Sequence, residues 1–268
     1  MFIALAAILG LFTGSFLNVC IDRLPKGESI VFPPSHCESC DHKLGVLDLI
    51  PVLSYVFLRG GCRYCKEPIP IRLMIVELVT GVLFGFFFWK YGFTLELLIS
   101  IIYGSILIVI FVIDLENQLV LDIITFPAMI VAFVIAFFRP EIVEVNSLGS
   151  GTISQAVSQA ASNAAGQAII ALLGGVVGLV AMAIPFIIYP SGMGMGDIKL
   201  AALVGLMTGY PLVILALLLS WISGGVIAGI LLALKIKGRK DPIPAAVFMV
   251  VAAIVTLVWG QEIWNWYF

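Results

Sequence analysis

Eight stretches of this chain are apolar over membrane-scale lengths, and they constrain its fold more than any other feature. Their limits are Phe2–Cys20, Leu73–Trp89, Leu95–Ile113, Leu119–Phe138, Ala165–Tyr189, Gly196–Thr208, Pro211–Ile236 and Ala245–Trp259. About 20 apolar helical residues cross the hydrocarbon core of a bilayer. Only helices and closed barrels satisfy their backbone groups there. The chain therefore reads as an all-α polytopic membrane protein with about eight transmembrane helices. The sixth stretch is short, as helices that line a cavity at membrane depth often are. Of the 268 residues, 62% are hydrophobic and 11% charged, against about 25% charged in soluble domains. A one-domain soluble enzyme is excluded, and so is a disordered chain, which needs low hydrophobicity. The 14 Lys+Arg nearly balance the 16 Asp+Glu, so no basic field invites nucleic acid. Membrane lipid is the expected surrounding.

The few charges then orient the chain. Met1–Cys20 has no positive leading region, and Asp22, Arg23 and Lys26 follow the apolar run rather than precede it. Leu17-Asn18-Val19-Cys20 is a poor lipobox. The segment is expected as a retained first helix with its N-terminus outside. Inner segments then fall near 21–72, 114–118, 190–195 and 237–244. All Lys and Arg except Lys90 and Arg139 lie inside or at the inner surface, including Lys235, Lys237, Arg239 and Lys240, as the positive-inside rule requires. Trp89, Tyr91, Trp259, Trp264, Trp266 and Tyr267 gather at the outer interface. The organisation expected is a first transmembrane helix (1–20), a polar cytosolic domain (21–72) and a membrane core (73–268). Residues 139–163 form an outer loop ending in the Ser/Ala/Gln/Asn-rich run Gly151–Asn163, and no internal repeat is apparent.

The polar domain holds Cys37-Glu38-Ser39-Cys40 and Cys62-Arg63-Tyr64-Cys65. Two C-x-x-C pairs at this separation resemble a zinc ribbon, in which two tight turns present four thiolates to a tetrahedral ion. Gly60-Gly61 before the second pair suits such turns. Structural disulfides do not fit a domain in the reducing cytosol. A redox-active dithiol stays open, and so does mixed ligation with the flanking His36 or His42. About 50 residues with few large apolar side chains need a staple of this kind. Cys20 lies with the first helix and reads as a small buried apolar residue.

Parity places two acids at one membrane face. Asp114 ends the third stretch, which runs inward, and Asp197 begins the sixth, which runs outward. Ionisable groups at that depth are costly and point to function. Asp197 stands in Gly192-Met193-Gly194-Met195-Gly196-Asp197-Ile198-Lys199. Alternating glycines there permit positive φ and close approach of another segment. Two carboxylates held together share one proton. The charged one can activate water while the protonated one donates to a scissile carbonyl. Helix ends are expected to favour the anion at Asp197 and the proton at Asp114. Nearby, Asp122 is expected to cap the fourth helix, Glu116 to be solvated, and Lys199 to neutralise the aspartates or bind lipid headgroups. Glu77 is expected to pair with Arg72 or support the cysteine domain. An ion- or proton-coupled transporter using the two acids, and a membrane scaffold docking partners through the cysteine domain, are the rival readings.

These motifs together resemble the bacterial type IV prepilin peptidases, membrane aspartic proteases of the G-x-G-D type. The resemblance rests on Gly14-Ser15-Phe16-Leu17-Asn18-Val19 with Arg23-Leu24-Pro25, the paired C-x-x-C knuckles, Ile50-Pro51-Val52-Leu53-Ser54 and Leu58-Arg59-Gly60. It also rests on Ile113-Asp114-Leu115-Glu116 with Asp122, and on Gly194-Met195-Gly196-Asp197-Ile198-Lys199. Leu121 stands where the family usually has proline, and Ile243-Pro244-Ala245-Ala246-Val247 replaces a common Ile-Pro-Phe-Gly-Pro run. The resemblance implies that Asp114 and Asp197 are catalytic, with Gly194 and Gly196 in the active-site loop. It implies cleavage of the basic leader of prepilins or type II secretion pseudopilins at the cytosolic face of the bacterial inner membrane. It further implies N-methylation of the new terminus from S-adenosylmethionine, with a structural zinc on Cys37, Cys40, Cys62 and Cys65.

Overall fold

The computed structural model describes residues 1–139, 164–188, 194–236 and 244–267. The Gly151–Asn163 run, Gly192, Met193, Lys237, Arg239, Lys240 and Ile243 lie outside the described residues. The described chain is helical: α1 (Phe2–Arg23), a 3-10 turn (Val46–Asp48), α2 (Leu53–Phe57), α3 (Ile71–Tyr91), α4 (Leu95–Asn117) and α5 (Asp122–Phe138). It continues with α6 (Ala164–Ile188), α7 (Met195–Thr208), α8 (Leu212–Ala233) and α9 (Ala245–Tyr267). Each of the eight apolar stretches lies in one of these helices apart from a few terminal residues. Six are long and apolar enough to cross a membrane: α1, α3, α4, α6, α8 and α9. α5 and α7 are shorter, at 17 and 14 residues. At 1.5 Å per residue they reach about 26 and 21 Å. Among the described residues there is no strand, only the isolated bridges His36–Lys43 and Gly61–Pro68.

Helix ends differ from the apolar limits for local reasons. α4 runs on to Asn117, so Asp114 lies within its last turn rather than beyond it. Gln118 then takes φ 53°, which breaks the helix, and α5 starts three residues later than the hydropathy suggests. α9 extends to Tyr267, because Gln261, Glu262 and Asn265 end the apolar run without ending the helix.

The chain divides into two compact units, Met1–Val109 and Ile110–Phe268. In the first, α1 packs along α3. A Cβ added at Gly14 would lie 2.8 Å from the Glu77 Cα, so only glycine admits this approach. In the second, α6 and α7 cross at Gly174 and Gly205. A Cβ at either would lie 2.3 or 2.1 Å from the other's carbonyl oxygen. Buried hydroxyls bond within their own helices, Thr80 to the Val76 carbonyl, Thr125 to Leu121 and Thr208 to Val204. Phe12, Val82, Ile130, Val176 and Ile222 remain exposed, as side chains facing lipid do.

Candidate active site and metal centre

Asp114 and Asp197 both belong to the second unit. Asp114 is 4% exposed, although it sits on the last turn of a helix. Its Oδ2 accepts the Val247 N–H at 3.3 Å, and the Ala246 N–H also points to the carboxylate. Those amides open α9, where the first N–H groups have no partner inside their own helix. Asp197 is the third residue of α7, and its Oδ2 accepts the Gly194 N–H at 3.3 Å. The two carboxylates lie close enough for their charges to interact. Each is therefore held at a helix N-terminus, Asp197 at its own and Asp114 at that of α9. Asp114 thus meets the N-terminus of α9 in addition to the C-terminal end of α4, a contact that the expected opposition of helix ends does not include.

The start of α7 is set by one close approach. A Cβ on Gly196 would lie 2.7 Å from the Val120 Cβ, in the segment joining α4 to α5. Gly194 has φ −82° and nothing nearer than 3.8 Å to an added Cβ. Neither glycine takes the positive φ that the alternating pattern suggests. Gly196 is needed for space instead.

Asp122 and Lys199 do not take their expected places. Leu121 occupies the N-cap position of α5, and no side chain caps it. Asp122 instead accepts from Lys199 Nζ at 2.6 Å, and that Nζ lies 5.4 Å from the centre of the Phe126 ring. The lysine thus ties the start of α7 to the start of α5. Glu116 is exposed at the end of α4. The sequence gives no site role to Val120, nor to Ala246 and Val247 beyond their departure from the family's usual run; they act through an apolar contact and backbone amides. Only Pro244, just before α9, marks the last two.

In the first unit, the Sγ atoms of Cys37, Cys40, Cys62 and Cys65 all lie within 4.8 Å of one another. Cys37 Sγ and Cys65 Sγ are 3.7 Å apart. A tetrahedral ion with metal–sulfur bonds of about 2.3 Å sets its ligands about 3.8 Å apart. A disulfide needs about 2.05 Å, and the four cysteines are free thiols. The donor set therefore fits a divalent ion.

Two matching turns build this centre. Cys37 N–H donates to the His42 carbonyl and Asp41 N–H to the Cys37 carbonyl. Cys62 N–H likewise donates to Glu67, and Lys66 N–H to Cys62. Leu44 N–H to Ser35 and Ile69 N–H to Gly60 close the two loops. Asp41 and Lys66 both take positive φ, at 54° and 62°. The turns repeat at a fixed offset, which residue identities conceal. His36 bonds to the Pro34 carbonyl, and His42 stacks on Tyr64 with ring centres 3.6 Å apart. Neither histidine joins the cluster. Amides of Cys65 and Tyr64 hold the Cys62 thiol down to about 7. Cys65 has the Glu67 amide favouring its thiolate, yet burial and the other cysteines push it up to about 12. A bound cation would favour the thiolate form of these ligands. Cys20 is buried in α1, away from the cluster.

Residues 8–91 match the family model described as the bacterial peptidase A24 N-terminal domain, and residues 101–230 match that of the type IV leader peptidase family. A curated relative from Xanthomonas campestris pv. campestris, named prepilin leader peptidase/N-methyltransferase, is 30% identical over 98% of this chain and 93% of its own length. Proteins of the same name from Stutzerimonas stutzeri and Bacillus subtilis are 29% and 28% identical. They cover 98% and 97% of this chain and 92% and 95% of their own lengths. No solved structure matches the chain. None of these relatives is named as a transporter or a scaffold.

Proposed function

The chain belongs to the type IV leader peptidase family, and on that premise we propose that Asp114 and Asp197 are the pair with which it removes prepilin or pseudopilin leaders. It is a peptidase and an N-methyltransferase of the multi-pass membrane class. The observation that carries the catalytic assignment is the meeting of two carboxylates, distant in sequence, with Asp114 buried at the end of α4.

The chemistry follows from sharing one proton between them. The ionised carboxylate takes a proton from water, whose oxygen attacks the scissile carbonyl carbon. The protonated carboxylate donates to the carbonyl oxygen as charge develops there. Collapse of the tetrahedral adduct breaks the C–N bond; the departing amine takes the proton that the first carboxylate removed from water, and the adduct hydroxyl returns a proton to the second carboxylate as the new carboxyl group forms. The Ala246 and Val247 amides hold Asp114 in place, and Gly194 and Gly196 shape the loop that presents Asp197. A substrate with an apolar helix in the bilayer and a basic leader in the cytosol meets this pair at the inner surface. The eight apolar helices, all but α2, cross in this reading, α5 and α7 as short spans, with residues 1–20 as first helix, 21–72 as the cytosolic domain and 73–268 as the protease core.

The cytosolic domain holds structural zinc through Cys37, Cys40, Cys62 and Cys65 and carries the methylation function. A bound ion would link the thiolates of the two knuckles and so staple them together. The methyl donor is S-adenosylmethionine, a soluble cytosolic molecule that reaches the same side.

The test is cleavage of a recombinant prepilin by the detergent-purified protein, followed by the mass of the released leader. Asp114→Asn and Asp197→Asn should each abolish cleavage while still methylating a pilin supplied already cleaved. Undiminished cleavage by either variant would overturn the assignment.

A further inference from the structure

Three sequence motifs that the aspartate pair does not use come together in the first unit. They are Gly14-Ser15-Phe16-Leu17-Asn18 on α1, Ile50-Pro51-Val52-Leu53-Ser54 between the knuckles, and Glu77 on α3. Val52 has φ 61° and ψ −48°, and the Leu53 N–H reaches back to the Pro51 carbonyl at 2.6 Å. This is a three-residue turn with positive φ, a rare and strained conformation, and at a β-branched residue a marked outlier. The turn aims the Val52 N–H outward, where it donates to Glu77 Oε2 at 2.7 Å.

Glu77 is only 9% exposed. The Ser15 hydroxyl lies against the same carboxylate, and Gly14 gives α1 the room to come close. One turn along, Asn18 is 4% exposed and donates through Nδ2 to the Leu73 carbonyl at 2.9 Å. Arg72 is engaged with Asp22 instead, at 2.5 Å. Of the two roles the sequence offered Glu77, pairing with Arg72 gives way to support of the cysteine domain.

Two costs thus meet in one hydrogen bond. A carboxylate is buried between membrane helices, and a valine is held in a conformation it rarely adopts. Strain of this kind persists where the surroundings impose it, and it marks functional positions more often than inert ones. Val52 lies between Cys40 and Cys62, so fixing its amide fixes the connection between both knuckles. The proposed cleavage chemistry has no use for this contact, because its steps run on Asp114 and Asp197 of the second unit.

We propose that Glu77 is a positioning residue for methyl transfer, a latch that grips the Val52 amide and holds the cysteine domain in register with the α1–α3 pair. This rests on the reading that residues 21–72 carry the methylation function. Loss of the latch should separate the two activities. Cleavage relies on the second unit, whereas methyl transfer needs the domain held in place.

The experiment compares the full-length protein with Glu77→Ala and Glu77→Gln in detergent. Leader cleavage, methyl transfer to a pre-cleaved pilin, zinc content and amide exchange over residues 50–57 are measured on each. Glu77→Ala should keep cleavage within about twofold and its zinc unchanged, while methyl transfer falls by about tenfold or more, as losing a charged hydrogen-bond acceptor predicts. Exchange over 50–57 should speed up. Glu77→Gln keeps an oxygen to accept the Val52 N–H and should recover most of the methyl transfer. Wild-type methyl transfer by Glu77→Ala would overturn the proposal, as would an equal loss of both activities or unchanged exchange over 50–57. If the wild-type protein transfers no methyl group, the methylation reading fails. The exchange measurement still decides separately whether Glu77 holds Val52.

Discussion

A methyl group added at Gly196 would sit 2.7 Å from the Cβ of Val120, a distance that two such atoms do not adopt. Either the start of α7 or the α4–α5 connection must move, and both carry groups of the aspartate site. Gly196→Ala should therefore cost about 1–3 kcal/mol, the usual range for overpacking, and should lower leader cleavage. Val120→Gly in the same chain removes that Cβ and restores the space, so the double variant should recover cleavage, a coupling that a double-mutant cycle reads directly. Gly194→Ala meets nothing nearer than 3.8 Å at an ordinary φ and should cleave like wild type. Equal losses at the two glycines would refute the steric account. The two acids were legible in the sequence because a carboxylate at membrane depth is chemically conspicuous. Val120, Ala246 and Val247 were not, since an apolar contact and a backbone amide leave no mark on residue identity. The Lys199–Asp122 pair was half legible, with both charges visible and their partnership set by packing that spacing does not encode.

The cysteine knuckles show the same division among elements. C-x-x-C spacing reveals the thiols, while the repeat they sit in is carried by backbone hydrogen bonds and two residues at positive φ. Lys66 is the less comfortable of those two, because aspartate tolerates the left-handed region better than lysine does. Lys66→Gly should relieve about 1 kcal/mol of strain and slow the extraction of zinc by a chelator. Asp41→Gly should do so less. Faster extraction from Lys66→Gly would contradict the geometry. Cys37→Ser and Cys62→Ser should instead lose the metal and, with it, methyl transfer, while leader cleavage continues. Retention of full zinc content by both would count against four-thiolate ligation. Glu77 belongs to this scale as well. Its burial on α3 was visible in the sequence as an acid early in an apolar run, but its grip on Val52 depends on a turn that no propensity favours.

For the molecule as a whole, the meeting of Asp114 and Asp197 limits the number of membrane crossings. Only α5 and α6 lie between them among the described helices, so the two acids share a face only if both cross or neither does. α6, with 25 residues, is long and apolar enough to cross. If it crosses, α5 crosses as well with 17, which is at the lower limit of about 17–25 for a span. The next step rests on α7, whose 14 residues fall short of a bilayer. If α7 still brings the chain to the outer side, α8 returns inward and delivers Lys235, Lys237, Arg239 and Lys240 to the cytosol, as the positive-inside rule favours. If it does not, that basic run is outside. Ile236, exposed at the end of α8, distinguishes the two. Ile236→Cys should resist a membrane-impermeant maleimide in intact cells and react once the membrane is opened. Thr94→Cys, between α3 and α4, should react in both conditions, with the unaltered chain as the control for native thiols. Labelling of Ile236→Cys from outside would remove α7 as a crossing and, with it, the eight-span topology.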